Sequence, residues 1–216
     1  MAFDLEEQEQ LASIKAWWNT YGNLVTWILI AVLGTFAAWN GWKYYQRSQA
    51  LQAGQLYEEL QKGVTAKDNA LVQRAATDMQ TRFGRTAYAQ MSALTAAKSA
   101  VDANDMATAK AQLQWIVAGS GEEEYKTIAR IRLAGLLLDE KAYDEALKLV
   151  SGDFPAQFAA LASDRRGDIL VAQNKLDEAR AAYKTALEKT DDKNPGRQLI
   201  QLKLDAIGGE PVKAAA

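Results

Sequence analysis

The sequence repeats itself between Ala142-Tyr143-Asp144-Glu145-Ala146-Leu147 and Lys175-Leu176-Asp177-Glu178-Ala179-Arg180, two stretches that lie 33 residues apart. A small residue precedes the shared alanine by twelve positions in both copies: Ala134 precedes Ala146, and Gly167 precedes Ala179. Helices approach each other closely where the facing side chains are small. The sequence therefore predicts a helical hairpin that recurs along the chain.

The spacing and the residue types match the tetratricopeptide repeat, a helical hairpin of about 34 residues. Leu137 and Leu170 occupy the large apolar position of its first helix. Tyr183 and Ala186 occupy the aromatic and small positions of its second helix. The consensus tryptophan and proline positions are not met, so the predicted repeats are divergent, and an ordinary pair of alanine-rich helices is the alternative.

Weaker copies of the hairpin flank these two repeats. Ala109 lies 37 residues before Ala146 and predicts a third hairpin, whose extra length fits the loop Gly119-Ser120-Gly121. Residues 50–83 predict a degenerate first hairpin, with Asn69 as the candidate N-cap of its second helix. At the other end, residues 195–207 predict an amphipathic helix that caps the stack, followed by a flexible tail.

An uncharged segment precedes the repeats, since no charged residue lies between Lys15 and Lys43. A helix over residues 24–42 spans roughly the 30 Å hydrocarbon core of a bilayer. Aromatic residues at both ends of the segment are typical of anchors at the membrane interface. They are Trp17, Trp18, Trp27, Trp39, Trp42, Tyr44 and Tyr45. A buried core helix would not explain aromatic residues at both ends of the segment. A cleaved signal peptide begins with a short basic segment, and the acidic start of this chain does not fit that pattern. The sequence thus predicts one uncleaved transmembrane helix.

Composition excludes several kinds of chemistry. The chain has 216 residues with no cysteine and no histidine, which removes disulfides, Cys or His nucleophiles and Cys/His zinc sites. Its 25 basic and 27 acidic residues nearly balance, so charge gives no argument for nucleic-acid binding. We therefore predict a non-enzymatic protein with no cofactor and no metal. A hydrolase that depends on Asp164 and Asp168 is the enzymatic alternative, although a solvated or intra-helix ion-pair face explains these residues more simply.

The repeat phase assigns the first helices of the hairpins to a concave face that is apolar with an acidic edge. The apolar residues of this face form a candidate protein-binding groove. They are Met91, Leu94, Val101, Ile128, Ile131, Leu138, Leu161 and Val171. The same face includes Lys98, Asp102, Gly135, Asp139, Asp164 and Asp168. Such a groove is suited to an extended or helical segment of another protein. The alternative is that the terminal helix or the first hairpin fills the face as core.

The order of these features resembles the YfgM family of bacterial inner-membrane proteins, the ancillary subunits of the Sec translocon. The resemblance covers the acidic tail at residues 6–10, the pair Trp17-Trp18, the end of the anchor at 39–45 and the repeat stretch at 160–187. It implies a cytoplasmic N-terminus, a periplasmic domain, and association with SecYEG, periplasmic chaperones and exported proteins. Charge alone leaves the orientation undecided, because the two flanks of the helix differ by one basic residue at most.

The sequence as a whole predicts an all-α protein in which a single N-terminal transmembrane helix precedes a tetratricopeptide-like helical-hairpin solenoid. Its predicted parts, with the two sides of the membrane as the resemblance implies them, are an acidic cytoplasmic tail with an interfacial segment (1–23), the transmembrane helix (24–42), the periplasmic domain (43–207) and the flexible tail (208–216). The resemblance implies a membrane-anchored adaptor of the Sec translocon that links exported clients to periplasmic chaperones. A scaffold for envelope assembly or cell division, without translocon contact, is the alternative.

Overall fold

The computed structural model describes residues 3–119 and 121–209, with side chains from Gln8 onward. The described residues form nine α-helices and no strand, which confirms the predicted all-α class. The helices are α1 (Phe3–Ala66), α2 (Asn69–Phe83), α3 (Ala87–Asp102), α4 (Met106–Ala118), α5 (Glu123–Asp139), α6 (Tyr143–Leu149), α7 (Ala156–Ala172), α8 (Leu176–Glu188) and α9 (Gly196–Ala206). The chain divides into two units between Leu51 and Gln52. Most of the predicted C-terminal tail, from residue 210 onward, lies outside the described residues.

The first unit consists of the N-terminal part of α1, which is helical well beyond residues 24–42. Its large apolar side chains, such as Phe36, are exposed. Polar side chains within the apolar stretch donate to the backbone of the helix itself: Thr35 Oγ1 to Ala31 O at 2.7 Å, and Asn40 Nδ2 to Phe36 O at 2.9 Å. A hydrocarbon environment requires such internally satisfied polar groups. In the described part of the chain, α1 holds the one helical stretch that is long and apolar enough to cross a membrane.

The second unit is a series of helical hairpins that share one kind of turn. Residues 52–66 of α1 pack against α2, and α3 pairs with α4, α5 with α6, and α7 with α8. Each hairpin turn contains a residue with φ between +55° and +63°. These residues are Lys67, Asn104, Lys141 and Asn174, spaced by 37, 37 and 33 residues. The next backbone amide donates to the carbonyl five positions before it, at 2.8–2.9 Å. This Schellman-type turn recurs in the four hairpins and confirms the predicted repeat, including the degenerate first hairpin.

The small residues of the repeat lie where two helices meet, as predicted. Ala134, Ala146 and Ala179 are completely buried. At Gly167 the contact is tighter still, since a Cβ there would lie 2.4 Å from Cε1 of Tyr183. A real Cβ does not approach another heavy atom so closely, so α7 and α8 reach their observed separation only because residue 167 has no side chain.

The start of α2 differs from the prediction that Asn69 is its N-cap. Asp68 occupies that position, and its carboxylate accepts from the backbone N–H of Leu71 at 3.0 Å. Asn69 is the first helical residue, and its side-chain oxygen accepts from Ser99 Oγ at 2.8 Å. An ionised carboxylate also interacts favourably with the helix dipole, which explains why Asp68 takes the capping position from Asn69.

The terminal helix α9 packs on α8 and closes the series of hairpins, as predicted for the capping helix. Ile200 and Leu204 lie in one buried cluster with Tyr183 of α8. Leu199 and Leu202 of the same helix are 57% and 64% exposed. One face of α9 therefore contributes to the core, and the other face remains at the surface.

Candidate functional site

A groove of about 410 Å³ between hairpins is the candidate binding site. Its lining comes from α3, α4, α5 and α7. The lining residues are Ala97, Lys98, Val101, Leu113, Arg132, Gly135, Leu136, Asp139 and Arg165. Within the described part of the chain, neither the first hairpin nor α9 supplies a lining residue. The described residues therefore leave this groove open to a ligand.

The floor of the groove is apolar. Ala97 and Leu113 belong to the main buried core cluster, and Val101 is 37% exposed at the surface of the groove. Gly135 leaves additional room, because the position that a Cβ would occupy lies 3.5 Å from the guanidinium carbon of Arg165. A floor of this kind is suited to an apolar side chain of a bound segment.

The rim of the groove is basic. Among the described residues it carries Lys98, Arg132 and Arg165 against one carboxylate, that of Asp139. The predicted acidic edge is therefore wrong for this groove. Lys98 Nζ lies 2.6 Å from the carboxylate of Asp102, but both side chains are well exposed, and such helix-surface pairs stabilise by only about 0.3–0.5 kcal/mol. This pair leaves Lys98 able to exchange partners.

Two of the expected edge carboxylates face α9 instead of solvent. Lys203 Nζ lies 2.8 Å from Asp164 Oδ1 and 2.8 Å from Asp168 Oδ1. The Tyr183 hydroxyl donates to Asp168 Oδ1 at 2.9 Å. These contacts join α7, α8 and α9, so the two carboxylates hold the end of the stack together. The prediction of a solvated face is therefore wrong, whereas an intra-helix ion pair, between Arg165 and Asp168, is present. Local pattern could not reveal the contact with α9, because Lys203 follows Asp168 by 35 residues.

Burial raises the pKa of two groups in this cluster, Asp164 and Tyr183. The pKa of Asp164 is raised, chiefly because burial disfavours its charged form, although the hydrogen bond from Lys203 acts in the opposite direction. The pKa of Tyr183 is also raised, because its hydroxyl is buried and lies beside Asp168. Tyr183 therefore remains a neutral hydrogen-bond donor at physiological pH.

Arg165 lies between this cluster and the groove. Its Nη1 is 3.4 Å from Asp168 Oδ2, a long contact, while Lys203 and Tyr183 make the shorter contacts to the same carboxylate. Its Nε is buried and has no hydrogen-bond partner among the described residues. A guanidinium carries five N–H donors, and this one is only weakly engaged within the protein.

The eight apolar residues assigned to the groove are not all brought together. Val101 lines the cavity. Met91, Leu94, Ile128, Leu138 and Val171 are partly buried, Ile131 is buried at 3% exposure, and Leu161 is 50% exposed. Three other residues that the repeat phase placed on this face do line the cavity: Lys98, Gly135 and Asp139. A binding role for the eight apolar residues stays a prediction. Arg132 and Arg165 were missed, since neither falls on an apolar stripe.

A second cavity, of about 580 Å³, shares Lys98 with the groove. Its lining residues are Val64, Lys67, Asn69, Thr95, Lys98, Ser99, Asp102 and Ala103. Because Lys98 lines both cavities, they lie on either side of one side chain on α3. A bound segment that passes Lys98 would contact both.

The predicted interface anchors are exposed side chains of α1. Trp17, Trp18, Trp27, Trp39, Trp42, Tyr44 and Tyr45 have exposed fractions between 51% and 78%. The ring centroids of Trp17 and Tyr21 are 5.7 Å apart, and Lys43 Nζ lies 5.2 Å from the centroid of Trp39. These side chains are free to meet a lipid headgroup region, and their role as anchors stays a prediction.

The chemistry of the groove favours binding over reaction. Within residues 8–119 and 121–209, no group of three or more His, Cys, Asp or Glu side chains is placed to hold a metal ion. The described lining contains no hydroxyl-bearing side chain. It offers cations, one carboxylate and an apolar floor, which are the elements of a peptide-recognition surface.

The fold is that of a helical-repeat protein with a long apolar N-terminal helix and a candidate binding groove. Residues 15–209 match the family model described as a tetratricopeptide repeat-like domain. The chain is 31% identical to a protein of Neisseria gonorrhoeae named ancillary SecYEG translocon subunit, over 96% of this chain and 100% of that relative. Proteins of the same name are 28% identical in Haemophilus influenzae, over 96% and 100%, and 26% identical in Escherichia coli, over 93% and 96%.

The chain belongs to this family of ancillary SecYEG translocon subunits, as its resemblance to the YfgM family implies. No solved structure matches it. The translocon-associated family and the apolar N-terminal helix together indicate a single-pass inner-membrane protein.

Proposed function

We propose that this protein is a non-enzymatic, membrane-anchored adaptor of the Sec translocon that links exported proteins to periplasmic chaperones through its repeat domain. The observation that carries the proposal is the similarity, over nearly the whole chain, to relatives named as ancillary SecYEG subunits. The open groove supports the adaptor role, because its described lining is suited to holding a polypeptide segment.

In this proposal residues 24–42 span the inner membrane, residues 1–23 lie in the cytoplasm and residues 43–207 form the periplasmic domain. The aromatic side chains at both ends of the span would lie at the two interfaces. Long domains cross the membrane largely regardless of flanking charge, so the slight excess of basic residues after the helix does not oppose this orientation. Residues 208–216 would extend from the periplasmic domain as a flexible tail.

The two units make different contacts in this proposal. The exposed apolar surface of α1, which includes Phe36, would contact membrane-embedded helices of the translocon. The groove, which includes Val101, would hold a segment of a chaperone or of an exported protein. Neither contact requires a chemical step, in keeping with a protein that recruits other proteins and catalyses no reaction.

Photo-crosslinking in native membranes tests this assignment of contacts. A crosslinking side chain at Phe36 should capture subunits of the translocon, and one at Val101 should capture periplasmic chaperones or exported proteins. Ala111, an exposed residue of α4 outside the groove lining, is the matched control and should capture neither above background.

Orientation needs its own measurement. A topology reporter fused to the C-terminus should be active in the periplasm. A reporter that is active only in the cytoplasm would remove the periplasmic partners from the proposal, and the absence of Sec subunits among the Phe36 adducts would remove the translocon.

A further inference from the structure

We infer that the groove between α3, α5 and α7 binds an acidic segment of a partner protein, with a side-chain carboxylate held by Arg165 and Arg132 and a neighbouring apolar side chain on the floor. The inference rests on the proposed function and deepens it, because it specifies the chemistry of the segment that the adaptor holds. The occupant is a polypeptide that carries glutamate or aspartate beside aliphatic residues.

Charge complementarity is the first argument. The chain as a whole has a net charge of −2, yet the described lining of the groove carries three basic side chains and one acidic. The adjoining cavity adds one basic and one acidic side chain, Lys67 and Asp102, so it leaves this excess of cations unchanged. A local excess of cations on a weakly acidic protein attracts acidic segments and disfavours basic ones.

The second argument is the state of Arg165. Among the described residues its buried Nε has no hydrogen-bond partner, and its one ion pair, with Asp168, is long because Lys203 and Tyr183 engage that carboxylate. The side chain is 33% exposed, so a ligand would reach the guanidinium through its terminal nitrogens. Gly135 leaves space beside the guanidinium, with a potential Cβ position 3.6 Å from Nη2. A planar guanidinium with unused donors beside an apolar floor recognises a carboxylate better than it recognises a neutral group.

The character of the lining favours a peptide over a nucleic acid. Its described residues include no aromatic side chain on which a base would stack. Aliphatic side chains such as Val101 and Leu136 offer contact to leucine or valine instead. The combination of apolar floor and basic rim therefore matches an acidic segment with aliphatic residues.

The test uses the full-length protein in lipid nanodiscs and fluorescein-labelled peptides followed by anisotropy. The probe is a peptide of alternating glutamate and leucine, and its isostere has glutamine at every glutamate. We expect the acidic peptide to bind at least about tenfold more tightly than the isostere, since hydrogen bonds to charged groups exceed neutral ones by roughly this factor. Arg165→Gln and Arg132→Gln should each remove most of that difference.

Two further variants separate recognition from folding. Arg166→Gln makes the same charge change on the same helix at a residue outside the groove lining, so it should leave binding unchanged. Asp139→Asn removes the carboxylate of the described lining, so the acidic peptide should bind several-fold more tightly. A variant that is merely misfolded would not gain affinity.

Equal affinity for the acidic peptide and its isostere would overturn the inference, as would an Arg165→Gln variant that binds like the wild type. Displacement of the peptide by single-stranded DNA at equal concentration would refute the inference that the partner is a protein. If the groove shows no preference for the acidic peptide but Phe36 still crosslinks to Sec subunits, the translocon contact is supported and the inference that the groove binds an acidic segment is refuted. Selective peptide binding without Sec crosslinks would instead support the groove chemistry and refute the translocon contact.

Discussion

Replacing Gly167 by alanine should destabilise the repeat domain, although alanine is the better helix former by about 0.8–1.0 kcal/mol. The new Cβ would lie 2.4, 2.6 and 2.8 Å from Cε1, Cδ1 and Cζ of Tyr183. The ring cannot turn aside freely, because it is 3% exposed and its hydroxyl donates to Asp168. Overpacking and disturbance of this hydrogen bond outweigh the gain in helix propensity, and we expect a net loss of about 1–3 kcal/mol.

Urea unfolding of the full-length protein in detergent, followed by circular dichroism at 222 nm, measures this loss as a lower midpoint. Gly135→Ala is the matched control, because its Cβ would lie 3.5 Å or more from Arg165, an ordinary van der Waals distance. That variant should be about 0.5–1 kcal/mol more stable than the wild type. If Gly167→Ala were as stable as the wild type, α7 and α8 could separate at little cost, and the reasoning from the close contact would be refuted.

Three further changes probe the network and the core. Lys203→Met should lower stability by about 1–3 kcal/mol, because it leaves Asp164 and Asp168 close together without their cation; the check is faster amide exchange in α9. Burial raises the pKa of Asp164 above its unfolded value of about 3.9, so the folded protein holds this proton more tightly than the unfolded chain does. The free energy of unfolding of the wild type, relative to that of Asp164→Asn, should therefore fall as pH rises above about 3.9 and level off above the folded pKa. A relative gain with rising pH in urea titrations would show that the Lys203 contact outweighs burial. Ile131→Glu should unfold the domain, whereas Val101→Glu should leave its helical content intact in circular dichroism, because only the first side chain is buried.

The repeat was predictable because local chemistry determines it. The pairs Ala134/Ala146 and Gly167/Ala179 mark helix contacts by size alone, and the structure places all four in the core or at a tight contact. The membrane helix was predictable for a similar reason, since an uncharged apolar stretch has few alternatives. Its helical ends were not, because no proline lies near the predicted boundaries and α1 continues through Asn23 and Lys43.

The candidate site was harder to predict because it depends on contacts between hairpins. Repeat phase assigns Val101 and Ile131 to the same face, but neighbouring helices cover Ile131 and leave Val101 partly exposed. The rim charge was misjudged because Lys203, distant in sequence, neutralises Asp164 and Asp168. Periodicity within one helix gives the direction of a side chain, and only tertiary packing decides what lies opposite it.

The recurrent left-handed turn separates what is constant in this chain from what varies. The helices that precede the turns at Asn104, Lys141 and Asn174 are α3, α5 and α7, with 16, 17 and 17 residues. The helices that follow these turns, α4, α6 and α8, have 13, 7 and 13. The layer that supplies most of the groove thus keeps nearly one helix length, while helix length varies in its partner layer. Labels or inserted segments placed after α4 or α6 should therefore leave the recognition surface in register.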